Sequence, residues 1–203
     1  MAKTGPNIVF ARKSGVTALF KRMAGLGKIA AYVGVPAEGT KKRSAQLLQM
    51  ADAARGKKKA RLLKAAMSDV TNAELLFIHT KGSPANHIPA RPVLQPATEA
   101  DGNRQPISRE LAGMTKACLA GDREGQLKGA QRAALAGQNA SRKWFTDGRN
   151  GWDPLADSTK RGRLARMSGA QRKKAETLGN AAFTPLVDTG ALRASIVGVV
   201  SEE

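Results

Sequence analysis

The stretch from residue 108 to 145 constrains this chain more than any other. Leu111, Met114, Cys118, Leu119, Leu127, Ala130, Ala134 and Leu135 recur near a 3.6-residue period, the spacing of one helical face. Glycines stand inside the same pattern at 113, 121, 125, 129 and 137. Each costs a helix about 1 kcal/mol relative to alanine, so they must either let a second helix approach or end the first. The pattern predicts one long central helix or a hairpin broken near Gly121-Asp122. A face of alanine and glycine buries little apolar area, and the rest of the chain adds little more. Leu, Ile, Val and Phe supply 39 of the 203 residues, against 34 Lys+Arg and 16 Asp+Glu. At a net charge of +18, this composition lies near the edge at which a chain stops folding alone. It predicts a chain thinly supplied with core residues and prone to incomplete folding in isolation.

Elsewhere the signals are shorter. Ile8-Val9-Phe10 reads as an edge strand. Val16, Leu19, Phe20, Met23 and Leu26 read as a helix with Ser14 at its N-cap and Gly25 and Gly27 at its end. Residues 29–35 are β-type, closed by Pro36. In residues 40–68, Leu47, Leu48, Met50, Ala51, Ala54, Leu62, Leu63 and Met67 suit one amphipathic helix, or two divided at Gly56. Thr71 or Asn72 can cap a helix that Gly82-Ser83-Pro84 breaks, after which Pro89 and Pro92 hold residues 88–94 extended. Residues 146–184 read as a long basic loop region anchored by Trp152 and Leu155, and 196–200 as a last strand. Helical signals dominate, with strand signals confined to short segments, and a single domain is expected over 1–203.

Several function classes fall away. The two histidines, His79 and His87, lie eight residues apart across a Gly-Ser-Pro break, and the one cysteine, Cys118, sits in an apolar stripe. No metal-ligand spacing results, and Cys118 reads as a small packed hydrophobe rather than a nucleophile. Phosphate-binding glycine loops and the Gly-x-Ser-x-Gly elbow are missing, so neither cofactor nor enzymatic activity is expected. No apolar run of about 18 residues is present for a membrane span and no charged-then-apolar leader opens the chain. The expectation is a soluble protein made inside the cell. Basic residues cluster at Lys41, Lys42 and Arg43, at Lys57, Lys58, Lys59 and Arg61, and again from Lys160 to Lys174. Neither region carries aromatic side chains, which disfavours sequence-specific recognition of single strands. The clusters suit a surface facing DNA or acidic partners, or a solvated face.

Three segments, in order, carry a family resemblance. The first runs Ala73-Glu-Leu-Leu-Phe-Ile-His79-Thr-Lys-Gly82 and continues through Ile88-Pro89-Ala-Arg91-Pro92-Val-Leu94. The second is Trp144-Phe145 with Gly151-Trp152-Asp-Pro154-Leu155 and Ser158-Thr159. The third is Pro185-Leu-Val-Asp188-Thr189-Gly190-Ala-Leu192-Arg193-Ala-Ser195-Ile196. Over roughly residues 28–36 and 70–203 the chain resembles the virion morphogenesis proteins of tailed bacteriophages, the tail-completion or neck proteins that include Mu-type morphogenesis proteins and lambda-like minor tail components. His79-Thr80-Lys81-Gly82 stands where that family commonly has His-Glu-Phe-Gly. The resemblance implies an α+β fold, a small antiparallel sheet packed with helices including a long central one, with 40–68 a helical insertion. It also implies a structural virion protein of the head–tail junction, assembled in the host cytoplasm into a homo-oligomeric, hexameric ring around the DNA path. Its expected neighbours are the portal or adaptor, the tail terminator or tail tube, and packaged DNA, with no membrane. A basic nucleic-acid-binding architectural protein or assembly chaperone is the alternative. The motif residues admit either an ordinary turn or cap, or an intersubunit contact. Asp188 or Thr189 would cap a short helical turn from which Leu192 and Ile196 enter the core.

Overall fold

Gly121 settles how the central stretch folds. In the computed structural model, which describes residues 13–36, 39–66, 70–187 and 190–202, Gly121 takes φ 82° and ends a first helix. Its N–H donates to the Cys118 carbonyl at 2.9 Å, and the Asp122 N–H donates to that of Ala117 at 2.9 Å, consuming carbonyls the helix leaves unpaired. The Asp122 carboxylate then accepts from the Gly125 N–H and caps a second helix. The hairpin is thus realised rather than one continuous rod. In chain order the helices are α1 (Lys13–Ala24), α2 (Gly39–Asp52), α3 (Gly56–Ala66), α4 (Asn72–Lys81), α5 (Leu94–Glu99), α6 (Arg104–Ala120), α7 (Arg123–Trp144), α8 (Asp157–Leu164), α9 (Gly169–Leu178) and α10 (Ala191–Ser195). Strand β1 (Ile29–Gly34) pairs antiparallel with β2 (Val197–Glu202), Ile29 facing Glu202 and Gly34 facing Val197. The chain is mostly helical with one small antiparallel sheet, consistent with the α+β expectation.

Close approach explains the small residues of α7. A Cβ on Gly129 would lie 2.8 Å from the Met114 Cα of α6, and one on Gly198 of β2 would collide with the Ala134 backbone of α7. Helix α6 and the sheet therefore both rest on α7 at van der Waals distance. One core gathers at the C-terminal end of α7, where Trp144 and Phe145 meet Leu76 of α4, Val93 and Ala97 from the start and middle of α5, Leu192 of α10 and Ile196. A second core joins Leu47 and Ala51 of α2, Ala54, Leu62 of α3 and Ala191 of α10. Residues 40–68 thus carry two helices, and Ala191 ties them to the rest of the fold.

Two expectations change. The region 146–184, expected as a loop, contains α8 and α9. Ser168 and Gln171 form a reciprocal capping box on α9, and Asp157 opens α8 while Arg161 and Arg163 lie in its last turn. Local end effects support these helices, because of their residues only Ala175 is buried. Ser14 lies inside α1 rather than at its N-cap, since the helix already includes Lys13. Ile8-Val9-Phe10 and Met67 fall outside the described residues.

Candidate functional site

Helix α4 starts at a capping box in which the Thr71 hydroxyl accepts from the Glu74 N–H and the Glu74 carboxylate accepts from the Thr71 N–H. Those bonds hold the Glu74 carboxyl below its ordinary titration range. The helix ends at Gly82, with φ 74°. A side chain there would meet the Ala90 nitrogen and the Ile88 oxygen, each at 2.9 Å. Only glycine lets the chain double back so tightly. Ser83 and Ile88 then exchange backbone hydrogen bonds of 2.8 and 3.0 Å, closing a loop in which His87 is left-handed, φ 52°. Pro89 and Pro92 frame the outgoing strand, and the Arg91 N–H donates to the His79 carbonyl.

The second motif segment is fastened on top. Asn150 donates to the Trp144 carbonyl and accepts from the Trp152 N–H, both at 3.2 Å. Trp152 meets Phe145 edge-on at 6.0 Å and donates from its indole to the Pro92 carbonyl at 3.2 Å. Arg91 Nη2 donates to the Asp153 carbonyl at 3.0 Å. From α8, Arg163 donates to the carbonyls of Thr184 and Val187 at 2.9 and 3.1 Å, fixing a segment in which Leu186 is left-handed, φ 61°.

All three motif segments consequently border one cleft of about 620 Å³, with His79, Ile88, Pro89 and Arg91 from the first, Pro154 and Leu155 from the second, and Leu186 from the third. Arg91 is 6% exposed. Burial pushes its guanidinium below its usual pKa, and Asp153 offsets part of this. Burial also lowers the His79 pKa, with Arg91 adding to the effect. Both Arg91 Nε and His79 Nδ1 are buried with no hydrogen-bond partner among the described residues.

The other motif residues serve packing. Leu192 and Ile196 are in the core. Ser195 donates to the Leu192 carbonyl at 2.8 Å. Gly190, φ 82°, occupies the N-cap position of α10, and Arg193 is half-buried in its last turn. Asp188 and Thr189, the expected caps, lie outside the described residues. The basic cluster stands apart from the cleft, with Lys41, Lys42 and Arg43 in α2 and Lys57, Lys58, Lys59 and Arg61 in α3. Of these seven side chains only that of Lys59 is described, and it is exposed. Leu186 stands in the third motif segment, but sequence reasoning gave no role to it or to Arg142. No residue type announces a leucine at positive φ. Arg142, which donates from α7 to the carbonyls of Ile196 and Ala194 at 2.9 and 3.0 Å, resembles any surface arginine in sequence.

No group of three His, Cys, Asp or Glu side chains converges on a metal-sized site among the described residues. Cys118 is buried and donates to the Arg22 carbonyl at 2.9 Å. No helix of the described residues is long and apolar enough to cross a membrane. Comparison with family models, with curated proteins and with solved structures finds no match to this chain.

Proposed function

We propose that this chain is a structural, non-enzymatic component of the tailed-bacteriophage head–tail junction, a tail-completion or neck protein. In this reading it closes into a homo-hexameric ring in the host cytoplasm and remains in the virion between the head connector and the tail. The three ordered motif segments and their convergence on one cleft support it. The observation that carries assembly is the surface of α1. Val16, Leu19, Phe20 and Met23 form one stripe at i, i+3, i+4 and i+7, and are 53, 44, 65 and 48% exposed. The end of the helix is pinned where Arg22 donates to the Leu119 carbonyl at 2.9 Å and Gln126 to that of Gly25 at 3.2 Å. A separate apolar groove of about 420 Å³, lined by Val33, Leu94, Ile107 and Leu111 among others, contains no α1 residue. Two unlike apolar surfaces on one chain are what a head-to-tail contact needs, and such contacts give rings when the rotation between neighbours closes. The basic excess then faces DNA in the channel or acidic neighbours such as the portal, adaptor, terminator or tube.

Sedimentation velocity and negative-stain microscopy test this directly. The wild type should form closed rings as concentration rises. Leu19→Ser with Phe20→Asp should give a folded monomer with an unchanged circular dichroism spectrum. A wild type that stays monomeric at high concentration, and is missing from purified particles, sinks the reading. Exposed Arg161, Arg172, Lys173 and Lys174 on α8 and α9 favour a second reading, that of an architectural DNA-binding protein. It requires salt-dependent duplex affinity that falls when these four are changed to Gln, with assembly unaffected.

A further inference from the structure

We infer that the cleft between the 82–91 loop, the 154–156 segment and α8 receives one acidic side chain, Asp or Glu, carried by a partner polypeptide with apolar residues beside it. The argument begins with Arg91. Three exposed arginines have close carboxylate partners: Arg123 with Glu202, Arg132 with Glu110 and Arg149 with Asp147, at 2.6 to 2.7 Å. The buried Arg91 belongs to no close ion pair among the described residues, and the Asp153 carboxylate, acting from farther off, offsets only part of its burial. Its one described side-chain bond goes to a neutral main-chain carbonyl, and its Nε has no acceptor. A buried, unpaired guanidinium is costly, and a carboxylate offers acceptors in the fork geometry it presents.

His79 adds a second unpaired buried nitrogen, Nδ1, in the same cleft. Held neutral by burial, it can donate one hydrogen bond to an incoming oxygen. No acidic side chain lines the cleft among the described residues, whereas its walls include Pro89, Pro154, Leu155 and Leu186. Rigid apolar walls around a cationic floor suit an acidic residue with apolar flanks. A nucleic-acid phosphate could also pair with Arg91, but its sugar–phosphate chain has no apolar flanks to cover these walls. The two prolines hold their walls in place before binding, which lowers the ordering cost. This inference concerns the cleft alone and does not require the ring.

The test follows the His79 imidazole resonance by NMR in the full chain, identified by its loss in His79→Gln. The probes are a capped Leu-Glu-Leu tripeptide, its capped Leu-Gln-Leu isostere, inorganic phosphate and a short DNA duplex. The Glu peptide should shift the resonance saturably and raise the His79 titration midpoint, because a carboxylate beside it favours the charged form. The Gln peptide should bind at least about tenfold more weakly, as the loss of a charge-assisted hydrogen bond requires. Thr159, exposed on the cleft rim in α8, provides variants that spare the packing. Thr159→Glu should abolish the shift and Thr159→Gln should keep it. No response to the Glu peptide, an equal response to the Gln peptide, tighter binding of phosphate or duplex, or an unaffected Thr159→Glu would each overturn the inference. The oligomeric state of the same samples reports only on the ring.

Discussion

At the scale of single residues, His79 sets a pH dependence. Its folded-state pKa is lowered by burial and by Arg91, while the unfolded chain takes up a proton at about 6.5. Below that pH the unfolded state binds more protons, so stability is complete at neutral pH and declines as pH falls from about 6.5 toward the lowered folded value. Thermal melts between pH 7.5 and 5.5 should show this loss, and His79→Gln should flatten it. Gly82 carries a second prediction. Ala there must hold φ 74° with its Cβ 2.9 Å from two backbone atoms, so Gly82→Ala should cost about 2 kcal/mol or more in urea unfolding. Both effects act on the motif segment that floors the cleft.

At the scale of elements, the glycines of the α6–α7 hairpin divide into two kinds. Nothing lies within 4 Å of a Cβ placed on Gly113, whereas one on Gly129 meets the Met114 backbone at 2.8 Å. Gly113→Ala should therefore stabilise by about 0.5–1 kcal/mol through helix propensity. Gly129→Ala should destabilise by about 1–3 kcal/mol despite the same propensity gain. Denaturant midpoints of the two variants should move in opposite directions. The sequence alone shows that glycines permit close approach or a break, but not which does which, because that depends on the partner surface. Other elements are legible for stated reasons. Thr71-x-x-Glu74 announces the start of α4, and residues 29–35 outline β1 to within a residue. Helices α8 and α9 are not legible, because they lack the apolar stripe on which periodicity depends. In the cleft, Pro89, Arg91 and Leu155 can be singled out from sequence, but the burial of Arg91 cannot, since it arises when Trp152 and Asp153 fold over the first segment.

At the scale of the whole molecule, two small cores share α10, Ala191 serving one and Leu192 the other. Phe145, fully buried in the first core, should cost about 3–5 kcal/mol when changed to Ala and should lower hydrogen-exchange protection throughout the hairpin. Leu47→Ala should instead loosen mainly α2 and α3, as a local opening below the global free energy. Exchange measured by mass spectrometry separates the two patterns. The pairing of β1 with β2 has a consequence for synthesis. Their partners, Ile29 with Glu202 through Gly34 with Val197, stand roughly 160–170 residues apart. Until Val197–Glu202 has been translated, β1 lacks this partner strand, and the backbone of α7 beneath Gly198 stays uncovered. Local hairpins can form early, but the sheet waits until Val197–Glu202 has been made. A chain stalled before Val197 would therefore expose an unpaired strand edge, a marker that quality-control machinery can read.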